Sequence, residues 1–184
     1  MPSTTYIAIL RGINVSGSNM IKMPALKAMF EAAGYEQVQT YIQSGNVLFR
    51  SDVADAERLA RDIHAAIFAT FTFSVPVLVL ALDTLEKVFE SNPFLINRNE
   101  DPAHLHVTFL AVQPEKAVFS KIEKDKYLPD EFIAGDKALY VFCPNGYGKT
   151  KLNNNFFENK LKIAATTRNW KTVSELVRLG KAMQ

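Results

Sequence analysis

The sequence holds one cysteine, Cys143, one tryptophan, Trp170, and three histidines. A lone cysteine excludes an internal disulfide framework. The histidines supply no metal set. His104 and His106 lie two apart, where a strand puts them on one exposed face, and His64 falls on an amphipathic helix, so a third ligand is missing and no metal is expected. No apolar run approaches the roughly 18 residues of a membrane span, so no membrane partner is expected. The opening segment TTYIAILRG lacks the basic stretch, apolar core and small-residue cleavage site of a secretory leader, and the chain reads as cytoplasmic.

What is present suits a packed core. Apolar residues make up 48% of 184, enough for one large domain or two small ones. The net charge of +2 conceals an asymmetry: residues 145–184 carry eight Lys/Arg against two Asp/Glu, and the rest of the chain thirteen against seventeen. A basic C-terminal segment favours an anionic partner, against the plain alternative of a solvated surface.

Residues 4–11 read as a strand, followed by the turn-prone GINVSGSNMIK. Pro24 opens a helix whose stripe is Leu26, Met29, Phe30 and Ala33, with Gly34 as its stop. Residues 37–43 and 47–51 form a hairpin through Ser44, Gly45 and Asn46. Residues 54–71 make a second helix around Leu59, Ile63, Ala66 and Ile67. Residues 75–82 are a strand apolar on both faces, which has to be covered. The order βαββαβ is that of ferredoxin-like folds. A short helix capped by Asp83 then leads to a polar connector at 95–103. Beyond it come a strand at 104–112, a helix from Pro114 to about Lys124, strands at 131–135 and 138–143, a helix at 151–164 and a last helix from Thr172. The expected fold is therefore α+β and two-lobed: a ferredoxin-like βαββαβ lobe (1–82), a connecting helix and linker (83–103), and a smaller βαββαα lobe (104–184).

Three segments carry chemistry. CPNGYGKT (143–150) ends like a phosphate-binding loop, but Cys143 stands at the position of the first required glycine and a hairpin precedes it, so a true P-loop is not expected. Its exposed glycines, beside Lys149 and Lys151, still suit an anion, with an ordinary turn as the alternative. On the next helix Lys151, Asn155, Glu158 and Lys162 share a face, with Asn154 beside it. ATTRNWKT (165–172), read as a turn between helices, offers the planar fork of Arg168 beside Asn169 and Trp170. Trp170 alone suits a core anchor, and Cys143 a small buried residue.

Taken together, LRGINVSGSN (Leu10–Asn19), TYIQSGNVLF (Thr40–Phe49) and NGYGKTKLNNNFFE…ATTRNWKTV resemble the DUF1697 family of mostly bacterial proteins, in order and spacing across almost the whole chain. The resemblance implies a two-lobed α+β structure and no established substrate, cofactor or mechanism. Its pattern favours Arg11, Gly12, Asn14, Asn19, Tyr41, Gln43, Ser44, Gly45 and Asn46, and then Lys151, Asn154, Glu158, Thr167, Arg168, Asn169 and Trp170, a candidate ligand-binding set whose chemistry suits hydrogen bonding to a polar ligand or a polar interface between the lobes.

Three readings follow. In the first, a small anionic or polar ligand, phosphate-bearing among others, sits in a cleft between the lobes. Arg11, Lys151 and Arg168 supply charge, Asn14, Tyr41, Gln43 and Asn46 supply hydrogen bonds, and Glu158 is the one family-pattern carboxylate for acid–base work. Whether that site is an enzyme's is left open, and the sequence specifies no cofactor. In the second, Tyr6 and Tyr41 stack nucleic-acid bases while the basic segment tracks phosphates, although the aromatic-rich signature of RNA-recognition sheets is missing. In the third, the polar residues only fasten the two lobes together through capped turns and buried hydrogen bonds.

Overall fold

The computed structural model describes residues 2–184. The chain divides into two compact units, one of residues 1–86 with 176–184 and one of residues 87–175.

The first unit begins with β1 (Thr4–Leu10) and α1 (Met23–Ala32). Pro24 stands in the first turn of α1, where its missing N–H has no intrahelical role. Leu26, Met29 and Phe30 are the buried stripe. Ala33 is exposed at the C-cap, so the stripe ends one contact earlier than the periodicity suggests. Strands β2 (Glu36–Tyr41) and β3 (Asn46–Ser51) form the expected hairpin. A register shift between Glu36 and Gln39, with Gln37 at φ 49°, bends β2. Helix α2 (Ala56–Phe71) starts where the Asp55 side chain accepts a hydrogen bond from the Arg58 N–H, and it buries Leu59, Ile63 and Ile67 at four-residue spacing. Strand β4 (Val77–Ala81) completes the sheet and α3 (Leu82–Glu90) follows. The order is β2-β3-β1-β4, and every pair is antiparallel. Tyr6, Ala8 and Leu10 of β1 face the core that α1 and α2 build around Phe30, Phe49, Ile63 and Ile67. Ile7 and Ile9, on the other face, are also fully buried.

In the second unit come α4 (Pro93–Ile96), β5 (Leu105–Leu110), α5 (Lys116–Phe119), β6 (Glu131–Ala134), β7 (Ala138–Phe142), α6 (Asn154–Leu161) and β8 (Ala165–Asn169). Helix α7 (Trp170–Ala182) follows, and its residues from Leu176 onward belong to the first unit. The sheet order is β6-β7-β5-β8, again antiparallel throughout. In both units the strands run second, third, first, fourth across the sheet. Helix α6 covers one face through Phe157 and Leu161, packed with Leu110, Phe132, Leu139 and Val141.

Several local expectations change. Residues 165–169, expected as a turn between helices, are an edge strand pairing with β5 from Leu110↔Ala165 to His106↔Asn169. The sequence ATTRN masks this because an edge strand with one half-buried face needs few large apolar residues. Helix α6 is shorter than 151–164, since the Asn153 side chain caps its start by accepting from the Phe156 N–H and Lys162 ends it at φ 56°. The helix expected from Pro114 to Lys124 contracts to α5 and a separate 3₁₀ turn at Lys124–Tyr127. Among the described residues, no helix is long and apolar enough to cross a membrane.

Candidate functional site

In the first unit the two polar loops meet. The Asn14 side chain reaches across 29 residues to donate to the Gln43 carbonyl at 2.8 Å. The same amide group donates to the Ile21 carbonyl at 2.9 Å and accepts from the Ile21 N–H at 2.8 Å. Asn19 donates to the Gly12 carbonyl at 3.1 Å. Asn46, fully buried at the start of β3, donates to the Tyr41 carbonyl and to Ser44 Oγ. Gly45 lies at φ +92°, and a Cβ there would stand 2.7 Å from Ile13 Cδ1 and 2.8 Å from Leu10 Cβ. Only glycine allows that approach between the loops.

The backbone of this loop pair is unusual. Gly12, Asn14, Ser16, Gly17 and Asn19 all have positive φ, as does Ile42 at 48°. A β-branched residue in that region is strained, and Ile42 is exposed as well. The asparagine amides tie loop carbonyls inward. The N–H groups of Gly12, Ser16 and Gly17 meet no acceptor among the described residues, and all three residues are exposed. Arg11 follows directly on β1, half-buried, its N–H bonded to the Pro76 carbonyl.

In the second unit the favoured residues fasten α6 to β8. Asn154 donates to the Ala165 carbonyl at 3.0 Å and accepts from Thr167 Oγ1 at 3.0 Å. Thr167 Oγ1 lies 2.8 Å from Thr108 Oγ1 on β5. Glu158 accepts from the Ala165 N–H at 2.9 Å. The Asn169 side chain accepts from the Thr172 N–H and so caps α7. Strand alternation sends Arg168 to the opposite face from Thr167. Its Nη1 donates to the Thr167 carbonyl, and burial pushes the guanidinium down to about 10. Trp170 is 5% exposed and stacks on Phe89 at 5.1 Å, as a core anchor should. Lys151 is exposed.

Other residues depart from expectation. His104 ends a 3₁₀ turn and only His106 lies on β5, so they are no exposed strand pair. His106 stacks on Tyr147 at 4.4 Å, its Nδ1 is buried without a partner, and burial pushes the ring down to about 4. Tyr147 Oη in turn accepts from the Asn154 N–H. Neither Tyr147 nor Thr108 stands out in the sequence, because each acts only through contacts made on folding. The Gly-Lys-Thr segment forms a 3₁₀ turn at Tyr147–Lys149, separated from α6 by a cap that Asn153 already fills. Cys143 is fully buried and its thiol is pushed up to about 11. Tyr6 is 3% exposed, stacked on Phe49 and bonded to the Val53 carbonyl, so it offers no face to a nucleic-acid base. No cluster of three His, Cys, Asp or Glu residues could hold a metal among the described residues.

No curated protein matches the chain. Conserved bacterial protein SP0830 from Streptococcus pneumoniae has a similar solved structure, with a TM-score of 0.75 and 25% identity. The match covers 97% of this chain and 99% of that one. The family described as protein of unknown function (DUF1697) matches residues 3–140, which takes in both loops of the first unit and, in the second, strands β5 and β6 and the start of β7. By that match the chain belongs to the DUF1697 family.

Proposed function

We propose that the chain binds a small anionic or polar ligand and that the Arg11–Asn19 loop is its anion-recognising element. The supporting observation is the set of acceptor-free N–H groups at Gly12, Ser16 and Gly17, in a loop whose carbonyls are held by Asn14 and Asn19. Successive N–H groups in turns of alternating hand form concave anion sites, and Arg11 adds a full charge next to them. The strain at Ile42 fits a turn kept for what it presents. A cytoplasmic ligand is consistent with the expected location.

An amide NMR titration with inorganic phosphate tests this. Saturable shifts centred on Gly12, Ser16 and Gly17, weakened by Arg11→Ala, are expected. Shifts that grow linearly with ionic strength and ignore Arg11 would sink the reading.

A purely structural role is the second reading, favoured in the second unit by the Thr108–Thr167–Asn154 chain and the Glu158 bond to β8. There Asn154, Glu158 and Thr167 find partners inside the unit, as groups that fasten a helix to a sheet must.

A further inference from the structure

At the other end of β1 from Arg11 is a cavity of about 400 Å³, lined by Ser3, Thr4, Thr5, Arg50, Leu82 and Asp83 together with Gln184. The strand separates the two places by roughly 20 Å at ordinary strand rise. Arg50 sits on β3 opposite Thr5. Its Nη2 donates to the Ser3 carbonyl at 2.7 Å. Its Nε is buried without a partner, and so is Ser3 Oγ. Among the described residues no carboxylate pairs with this half-buried guanidinium, not even Glu36, its register partner on β2. A charged donor left unmatched in a half-buried place is costly, and proteins retain such groups where a ligand completes them.

Asp83 supplies the opposite charge. Its Oδ1 accepts from the Thr84 N–H at 2.7 Å, which leaves Oδ2 as an open acceptor. A plain oxyanion would meet repulsion from Asp83, and a plain cation would meet it from Arg50. A ligand with both an acceptor and a donor satisfies the two. The volume falls in the range of small-molecule sites. We propose that this cavity binds a small carboxylate bearing a neighbouring amino or hydroxyl group, the carboxylate against Arg50 and the donor against Asp83. Thr4 and Thr5 belong to the same lining.

Arginine side-chain NMR of the full chain tests it, following the Arg50 Nε–H signal with three probes: L-serine, acetate and ethanolamine. L-serine is expected to give a saturable shift and to bind about tenfold more tightly than acetate, with ethanolamine weaker still. Asp83→Asn, at an exposed position where the amide oxygen still caps Thr84, should bring L-serine down to the acetate level. In Arg50→Lys the Nε–H signal is gone, so the titration is followed by the backbone amide signals of Thr4, Thr5 and Asp83, with the rest of the amide spectrum as a folding check. The preference for L-serine should be abolished, because a point charge does not reproduce the planar fork. Arg11→Ala should leave all three titrations unchanged, which separates this site from the Arg11 loop. Equal binding of L-serine and acetate in both the native chain and Asp83→Asn overturns the proposal. So does the lack of a saturable shift with every probe, which would leave the cavity to solvent.

Discussion

The two units share one strand order and use their polar residues in opposite ways. In the first, Asn14, Asn19 and Asn46 bond backbone carbonyls of loops and leave N–H groups outward. In the second, Asn154, Thr167 and Glu158 bond across elements and fix α6 on β8. The topology alone therefore does not say which lobe meets a ligand. That depends on whether a polar group spends its hydrogen bonds on shaping a loop or on joining a helix to a sheet.

The contrast can be broken most decisively at Gly45. Gly45→Ala forces an L side chain to φ +92° and drives its Cβ into Ile13 and Leu10. A loss of about 3 kcal/mol is expected from strain plus overpacking, read by urea unfolding. A change under about 0.5 kcal/mol would show that the loops can separate without harm. Next is Asn154→Ala, which removes the acceptor of Thr167 and the donor to Ala165. About 2 kcal/mol of global stability should go, because buried partners are left unmatched.

His106 sharpens the second unit through pH. Its ring is held down to about 4 in the fold and returns to about 6.5 on unfolding. The unfolded chain thus takes up the proton first, so stability is complete above pH 6.5 and falls as the pH drops toward 4. His106→Phe keeps a ring against Tyr147 and should flatten that fall, recovering up to about 2 kcal/mol at the acid end of melting curves. An unchanged acid slope would mean that His106 titrates freely. The smallest effect is expected for Asn14→Gly. Glycine accepts the φ of 55°, so only the side-chain bonds are lost. About 1 kcal/mol is expected, with amide exchange accelerating in residues 12–21 and little elsewhere. Exchange that accelerates evenly through the unit would contradict a self-contained loop.

The sequence was readable where periodicity carries the information. Leu59, Ile63 and Ile67 mark α2, the all-apolar run of β4 marks a buried strand, and the βαββαβ order leads directly to the first sheet. It was unreadable where a residue gains its role from a distant partner. Asn14 and Gln43 are 29 apart, and Thr108 and Thr167 are 59 apart. Strand β8 escaped for a related reason, since its edge pairing to β5 leaves no apolar alternation to detect. The candidate polar residues could be named in sequence. What each amide does, and that Arg50 lacks a carboxylate partner, needed the fold.

Residues from Leu176 onward return to the first unit, where Gly180 closes on the Leu82 side chain and Lys181 stands 3.6 Å from Glu86. Along the sequence the second unit is thus an insertion within the first rather than an addition after it. During synthesis the residues up to Glu86 must wait for Leu176–Gln184 before their unit is whole. A gene cut at the polar connector near residue 100 would free no intact N-terminal half. Removing residues 87–175 as a block, and joining the flanks, is the dissection that respects how this protein is built.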